Sequence, residues 1–294
     1  MPDPRDIVLQ QAYADHSRRW QDFLYCYPVI SRRSKGLSIG INLNPDKACN
    51  FDCIYCQVDR TTPSIVRKVD LAVLRDELAT LLDATTNGSI WLESPFNALP
   101  PEQHVVRDIA FSGDGEPTTF PQFDEAVRIV ADLKRERHLH DTKIVLITDA
   151  CYLTKPVVAA GLRIMDENNG EIWAKLDAGT QAHYELINRP NYPLSHVLAN
   201  ILETAKARPI VIQSLWMRVH DQPPPDAEIR EFNQRLNELL AAGAKLKLIQ
   251  VYTIVRQTTE AYATSLTHAE LDHAAQMVKT AVPIPIETYY GALD

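Results

Sequence analysis

The sequence predicts an α/β protein with a mainly parallel sheet, in the form of a partial (β/α)6 barrel of the TIM type that is open on one side. Short, apolar, β-branched segments recur along the chain, and an amphipathic stretch of helical length follows each of them. This alternation is typical of parallel strands joined by right-handed crossovers, and six repeats suit a partial barrel better than a closed eightfold one. The strand candidates, with a seventh near the end of the chain, are Leu37–Leu43, Asp108–Phe111, Lys143–Ile147, Glu171–Leu176, Ile210–Leu215, Lys247–Tyr252 and Ile284–Tyr289.

The segments between these strands repeat their apolar residues with the 3.6-residue period of a helix. We predict that Asp70 caps the first of these helices, that Lys134 marks the exit of the second to solvent, and that Ser195 caps a later one. The run Pro223–Asp226 predicts a rigid break before another helix. Thr85–Val106, rich in turn-forming residues, is predicted to be a long loop or insertion.

A single domain is the simplest organisation for a chain of 294 residues without repeats, low-complexity tracts or linkers. Residues 1–36 are predicted to form an N-terminal helix, around Ile7–Phe23, with a lead-in, and residues 37–294 form the barrel. No apolar run approaches the ~18 residues of a membrane span, and the N-terminus is polar. We therefore expect a cytoplasmic protein with no membrane partner.

The formal net charge of −8 argues against a protein whose main task is to bind a polyanion, because phosphate binding relies on clustered Lys and Arg. One local exception is the basic cluster Arg32, Arg33 and Lys35. It is either an exposed turn kept soluble by its charge or a contact with a phosphate or carboxylate.

Three of the five cysteines, Cys49, Cys53 and Cys56, fall within eight residues in a C-x3-C-x2-C spacing. Thiolates this close together select zinc or an iron–sulfur cluster. Zinc structural sites normally take four ligands, and no second pair is present to complete one. Three ligands to a 4Fe-4S cluster would leave one iron open, as in a catalytic site. Three ordinary core cysteines are the other interpretation.

Polar residues gather at the predicted carboxyl ends of the strands, where parallel barrels place their chemistry. The second strand runs into the irregular turn Ser112–Thr118, the third ends in Thr148-Asp149, and the fourth reaches Lys175 and Asp177. Structural interpretations stay open for each: a tight connection for the turn, and an ion pair for Lys175 with Asp177. Weaker candidates of the same kind are Gln213, Ser214 and Arg256.

These motifs resemble the radical S-adenosylmethionine superfamily, whose cluster motif carries an aromatic residue before the third cysteine, here Tyr55. The resemblance implies a partial (β/α)6 barrel with the cluster in the loop after the first strand. Its Gly-Gly-Glu-Pro motif, which binds the amino group of the methionine part of the cofactor, corresponds to Asp114, Gly115, Glu116 and Pro117, with Asp114 in place of the first glycine. Gly113, directly before the motif, is a further cofactor-binding candidate of the same turn. Contacts with the ribose and carboxylate of the cofactor are implied for the polar strand ends, namely Thr148, Lys175, Asp177 and Gln213.

Within the superfamily the chain is most similar to the enzymes grouped with wyosine biosynthesis, which modify tRNA guanine. The likeness covers most of residues 25–290, but those enzymes carry a second cysteine set ahead of the main motif, and this chain has only Cys26 there.

The resemblance implies a 4Fe-4S cluster that cleaves S-adenosylmethionine reductively, and a 5′-deoxyadenosyl radical that takes hydrogen from a substrate. A low-potential donor, flavodoxin or ferredoxin, would supply the electron. We expect a small molecule or peptide as substrate, with tRNA-base modification as the alternative. A non-catalytic iron–sulfur electron carrier and a zinc-stabilised binding module are the alternatives from other classes.

Overall fold

The computed structural model describes residues 8–9, 11–12, 18, 20–31 and 33–291, and the chain divides into two compact units. The first unit comprises Met1–Ala48, Pro63–Leu146 and Pro156–Glu171, and the second comprises Cys49–Thr62, Ile147–Lys155 and Ile172–Asp294. Nearly half of the predicted opening helix around Ile7–Phe23, together with Arg32 of the basic cluster, lies outside the described residues. Of the described part, residues 8–9 and 11–12 are helical, whereas residues 20–23 are not, so the helix does not extend to Phe23.

The strands of the first unit lie in the order β1-β2-β3-β4. The pair β1–β2 is antiparallel, whereas β2, β3 and β4 run parallel in the register Ile39↔Ile109↔Ile144. Their bounds are β1 (Cys26–Ser31), β2 (Gly36–Ile41), β3 (Val106–Phe111) and β4 (Lys143–Thr148). The turn between β1 and β2 carries Arg33 and the exposed Lys35, so the structure places these two residues of the basic cluster in a turn.

The helices of this unit whose bounds lie within the described residues are α1 (Leu71–Thr86), α2 (Phe123–Glu136) and α3 (Pro156–Asp166). Asp70 caps α1 as predicted, since its side chain accepts from the N–H groups of Ala72 and Val73. The predicted exit of α2 to solvent at Lys134 is wrong. Only 4% of this residue is exposed, and its ammonium donates to the carbonyl of Asn168 at 2.8 Å. The chain that follows α3 covers the lysine, and burial lowers its pKa to about 8.

A buried carboxylate fixes the beginning of β1, which the sequence did not predict. Glu77 of α1 accepts three backbone N–H bonds, from Leu24 at 2.7 Å, Tyr25 at 2.8 Å and Cys26 at 3.0 Å. An unpartnered carboxylate would be costly at this depth, so these bonds both satisfy Glu77 and anchor the strand.

The segment predicted as a long loop, Thr85–Val106, contains three short 3-10 turns at Ser89–Leu92, Phe96–Ala98 and Pro101–Gln103. Ile90 and Phe96 are buried, so the loop is packed against its own unit.

The second unit contains the parallel strands β5 (Gly170–Lys175, whose first two residues fall in the first unit), β6 (Ile210–Leu215), β8 (Leu246–Tyr252) and β10 (Ile286–Tyr289), in that order. A separate antiparallel pair, β7 (Met217–Val219) with β9 (Ala263–Ser265), was not predicted. The helices are α4 (Gln181–Asn188), α5 (Leu194–Ala207), α6 (Asp226–Ala241) and α7 (His268–Ala281).

The helix starts of this unit test two predictions. The break Pro223–Asp226 is confirmed, because α6 begins directly after Pro225. Ser195 as a cap is wrong: α5 begins one residue earlier, at Leu194, with Pro193 at the cap position and no side-chain capping bond. The first N–H groups of the helix find other acceptors: that of Leu194 donates to Gln181 Oε1 at 2.8 Å, and that of His196 donates to the carbonyl of Pro193 at 3.0 Å.

Candidate functional site

The cysteine loop, Cys49–Cys56, follows β2 in the chain and is fixed within the second unit by the end of α4. The N–H of Asp52 donates to the carbonyl of Asn188 at 3.1 Å, and the N–H of Ile54 donates to that of Ile187 at 2.9 Å. The N–H of Asn191, just beyond α4, donates to the carbonyl of Asn50 at 3.0 Å. A loop held by three backbone bonds to a packed helix end presents its side chains in a defined geometry.

The three thiols of the loop form no disulfide and are partly exposed, and N–H donors face them. The side-chain amide of Asn188 donates to Cys53 Sγ at 3.4 Å, and the guanidinium of Arg60 donates to Cys56 Sγ at 3.9 Å. Such donors stabilise negative charge on sulfur, which is what a thiolate ligand of a cluster carries. Burial raises the pKa of the Cys53 thiol to about 11, although the charge of Lys175 opposes this.

Among the described residues, no three His, Cys, Asp or Glu side chains converge to hold a metal ion. The thiolates of a 4Fe-4S cluster bind different irons, so they need not converge on one point. The donor chemistry of the loop, three thiols with two N–H donors, fits such a cluster.

A buried hydrogen-bond network at the end of β5 ties three of the predicted site residues together. Asp177, only 2% exposed, accepts from the hydroxyl of Tyr55, from the amide of Asn188 at 3.1 Å and from the N–H of Leu215 at 2.8 Å. The ammonium of Lys175 lies 3.8 Å from Asp177 Oδ2 and 4.5 Å from the centre of the Tyr55 ring. Burial alone would lower the pKa of Lys175, but the Asp177 carboxylate raises it well above its usual value. The lysine is therefore a paired, permanent cation beside the cysteine loop.

The end of β4 meets the same loop through Asp149. Its carboxylate accepts from the amide of Asn50 at 3.0 Å and from the N–H of Cys151 at 2.9 Å, while the hydroxyl of Thr148 accepts from the N–H of Ala150 at 3.0 Å. Burial raises the pKa of Asp149 to about 6. Thr148 and Asp149 thus lie at the end of β4, as predicted. Both accept from N–H groups of the turn that follows the strand, and Asp149 also accepts from Asn50 of the cysteine loop.

The glycine turn, Ser112–Thr118, lies in the first unit. Asp114, which replaces a glycine of the family motif, pairs with Arg18 at 2.5 Å and accepts from the amide of Asn42 at 2.7 Å. Gly115 has no room for a side chain, because an added Cβ would lie 2.0 Å from the carbonyl oxygen of Ala48.

The carboxylate of Glu116 is buried in this turn and accepts from the N–H of Thr118 at 3.1 Å. It therefore caps the 3-10 turn Pro117–Thr119. The structural interpretation of the turn, a tight connection with an acidic cap, is thus seen in the molecule.

The remaining candidates from the sequence are Gln213, Ser214, Arg256 and Cys151. Gln213 donates to Gln250 at 2.8 Å on the neighbouring strand, and the hydroxyl of Ser214 is buried without a partner among the described residues. Arg256 donates to Gln57, one residue beyond the cysteine loop, at 3.1 Å. Cys151 is buried, 2% exposed.

Sequence reasoning missed two residues that support this region. Asn188, 1% exposed, joins Cys53, Tyr55 and Asp177 through one side-chain amide. Glu228 of α6 accepts from the N–H groups of Gly179 at 2.6 Å and Thr180 at 3.0 Å, which holds the connection between β5 and α4. Both lie inside ordinary amphipathic helices, so no local signal distinguishes them.

No family model matches the chain. Three curated proteins are similar to it at low identity. A protein of Brachyspira hyodysenteriae named GTPase Obg is 24% identical over 267 residues, which is 88% of this chain and 34% of that protein. A UPF0026 protein of Helicobacter pylori is 25% identical over 177 residues, 60% of this chain and 49% of that one, and one of Methanocaldococcus jannaschii is 29% identical over 176 residues, 60% and 46% respectively. The chain thus spans a third to a half of the length of these curated relatives.

Solved structures confirm the fold. Streptococcus suis SuiB bound to S-adenosylmethionine superposes with a TM-score of 0.55 at 11% identity, covering 88% of this chain and 49% of SuiB. TYW1 with a lysine-pyruvate adduct bound superposes with a TM-score of 0.51 at 13% identity, covering 95% of this chain and 90% of TYW1. The partial barrel of the radical S-adenosylmethionine type is therefore confirmed, and so is the predicted resemblance to that superfamily and its wyosine branch, at the level of fold. In the described part of the chain, every helix is too short or too polar to cross a membrane.

Proposed function

We propose that the chain is a radical S-adenosylmethionine enzyme in which Cys49, Cys53 and Cys56 hold a 4Fe-4S cluster. The observation that carries the proposal is the cysteine loop itself. Three thiols of one loop, none of them in a disulfide, face two N–H donors beside the partly buried cation of Lys175, in a fold shared with SuiB and TYW1. When bound, a cluster with an open iron supplies the electron that splits S-adenosylmethionine into methionine and a 5′-deoxyadenosyl radical.

The residues of the chain orient and shield this chemistry. Asn188 and Arg60 stabilise the negative sulfurs by donating to Cys53 and Cys56. Asp177 fixes Asn188 and Tyr55, so the loop cannot rearrange without breaking a buried network. We further propose that the cofactor contacts the site residues implied by the family, which are Tyr55, Gly113, Asp114, Gly115, Glu116, Pro117, Thr148, Lys175, Asp177 and Gln213.

A small molecule or a peptide is the proposed substrate class. TYW1 has been solved with a lysine-pyruvate adduct, and a lysine must be neutral to attack a carbonyl. Lys175 is held in its charged form by Asp177, so this lysine is unsuited to that chemistry. The net charge of −8 and the absence of a second cysteine set also disfavour the wyosine reaction on tRNA, which is the second candidate because of the TYW1-like fold.

The electron is proposed to come from a flavodoxin or ferredoxin. None of the five cysteines forms a disulfide, as expected for a reducing compartment such as the cytoplasm. Unlike an electron carrier, this chain combines its three-cysteine loop with the buried carboxylate turn at Glu116, which supports the catalytic interpretation.

The proposal is tested by reconstituting the protein anaerobically, reducing it with dithionite and adding S-adenosylmethionine. We expect slow formation of 5′-deoxyadenosine and methionine even without substrate. Glu116→Ala should weaken cofactor binding and leave the iron content intact, because Glu116 is not a cluster ligand. No cleavage by protein with an intact, reduced cluster would contradict the enzyme and favour the electron carrier.

A further inference from the structure

A row of polar side chains crosses the four parallel strands of the second unit. Lys175 of β5 is the register partner of Gln213 of β6, Gln213 is the partner of Gln250 of β8, and Gln250 is the partner of Glu287 of β10. Register partners on parallel strands point to the same face of the sheet, so these four side chains form one line. Lys175 lies over the ring of Tyr55, so this is the face that meets the cysteine loop.

The hydrogen bonds along the row leave one donor unused. Lys175 is occupied by Asp177, and the amide nitrogen of Gln213 donates to Gln250 Oε1 at 2.8 Å. In the part of the chain that the structure describes, the amide nitrogen of Gln250 has no partner, although the residue is only 3% exposed. A bound ligand with an acceptor oxygen would give this amide the hydrogen-bond partner that it lacks.

The next position in the row is a carboxylate. Glu287 is exposed on β10, which ends the strand order of the sheet among the described residues. The hydroxyl of Tyr289 donates to Glu287 and fixes its direction. Adjacent strands lie about 4.8 Å apart, so a donor and a carboxylate stand side by side at the accessible end of the row.

We propose that Gln250 and Glu287 form a substrate subsite for an amine placed next to a carbonyl group, as in an α-amino amide or the amino terminus of a peptide. The carbonyl oxygen accepts from the Gln250 amide, and the ammonium donates to the Glu287 carboxylate. A phosphate-bearing ligand is disfavoured there, because Glu287 is negative and Asp177 neutralises the cation at the other end of the row. The inference rests on the proposed function, since it names the substrate class of that enzyme.

Three probes with a common phenyl group test the subsite by isothermal titration calorimetry: phenylalaninamide, 3-phenylpropanamide without the amine, and phenethylamine without the amide. Phenylalaninamide should bind roughly tenfold more tightly than either of the others, because each lost hydrogen bond removes part of the affinity. Glu287→Gln should weaken the two amine probes and spare 3-phenylpropanamide. Gln250→Leu should weaken the two amide probes and spare phenethylamine.

Glu203→Gln, an exposed carboxylate of α5 outside the row, is the matched control and should change none of the three affinities. Because Gln250 is buried, its variant could unfold, and Glu287→Gln then decides the test alone. Equal affinities for the three probes, or an equal loss for all three in Glu287→Gln, would overturn the subsite. Iron content and cofactor cleavage are measured on the same preparation. If the protein holds no cluster and does not cleave the cofactor, but the probes bind as expected to the parent and the variants, the proposed function is rejected and the subsite is kept. If the cluster and cleavage are intact but the probes do not bind in that pattern, the subsite alone is rejected.

Discussion

The glycine turn of the first unit and the cysteine loop of the second are both fixed by distant residues, but they differ in what those residues leave available. In the turn, Arg18 and Asn42 take up the carboxylate of Asp114, and Gly115 presses against the backbone of Ala48. In the loop, the amide of Asn188 and the guanidinium of Arg60 only donate, and they donate to sulfur. The turn is held by charge pairing and close packing, whereas the loop has N–H donors directed at its thiols.

Two desolvated lysines, the buried Lys134 and the partly buried Lys175, also differ in the groups that face them. Lys134 of the first unit faces a backbone carbonyl, and burial lowers its pKa to about 8. Lys175 of the second unit is desolvated too, but the Asp177 carboxylate raises its pKa. A neighbouring carboxylate thus determines whether desolvation lowers the pKa of a lysine or leaves the lysine charged.

The largest expected effect distinguishes the loop cysteines from the other two. Changing Cys49, Cys53 or Cys56 to Ala should abolish the brown colour of the reconstituted protein and most of its iron, about four irons per chain in the parent protein. Cys26→Ala and Cys151→Ala are the matched controls, and both should retain the cluster because these thiols are buried elsewhere. Iron analysis and the visible spectrum give the answer, and loss of a full second set of irons in Cys26→Ala would contradict a single cluster.

Close packing in the glycine turn is tested by Gly115→Ala. The new Cβ would collide with the carbonyl of Ala48, which is backbone and cannot yield as a side chain can, so we expect a loss of about 3 kcal/mol in unfolding free energy. Gly243→Ala is the control: its φ of +95° is also unfavourable for alanine, but nothing lies within 4 Å. It should cost only about 1–2 kcal/mol. Urea unfolding measures both, and equal costs would show that contact with Ala48 does not limit the turn.

The role of Asn188 in the loop is tested by Asn188→Ala. Its removal leaves Asp177 without one donor and Cys53 without its N–H, so we expect a loss of about 1–3 kcal/mol in stability and faster loss of iron to a chelator. Asn237→Ala is the control, since that amide also donates within the unit, to the carbonyl of Ala281 at 3.1 Å, away from the loop. If both variants release iron at the parent rate, Asn188 does not position the cluster ligands.

How much of this could be predicted from the sequence depends on how local the signal is. Ile210–Leu215 was predicted with the bounds that the structure shows, because a buried apolar run specifies a strand by itself. The strand β1 was missed, because it contains Pro28 and is anchored by Glu77, about fifty residues away. The cysteine spacing indicated the site, but Asn188 reaches Cys53 across 135 positions of sequence, and no pattern within a helix predicts that bond.

The smallest expected effect concerns Lys134 and depends on pH. The folded-state pKa of Lys134, about 8, lies below the value of about 10.4 for an unfolded lysine, so the folded state bears the cost of burying the charge fully below pH 8. Between these two values the unfolded chain binds more protons than the folded one, so this group makes stability rise with pH. Lys134→Met removes the cost at every pH. From pH 7.5 to pH 10 the unfolding free energy of the parent should therefore rise relative to that of Lys134→Met, by no more than about 2 kcal/mol after solvent screening. Lys279→Met, at an exposed lysine of α7, controls for the loss of a positive charge. Urea unfolding of the three proteins across this range checks the sign, and parallel curves for the parent and Lys134→Met would show that Lys134 is not the desolvated cation that its position implies.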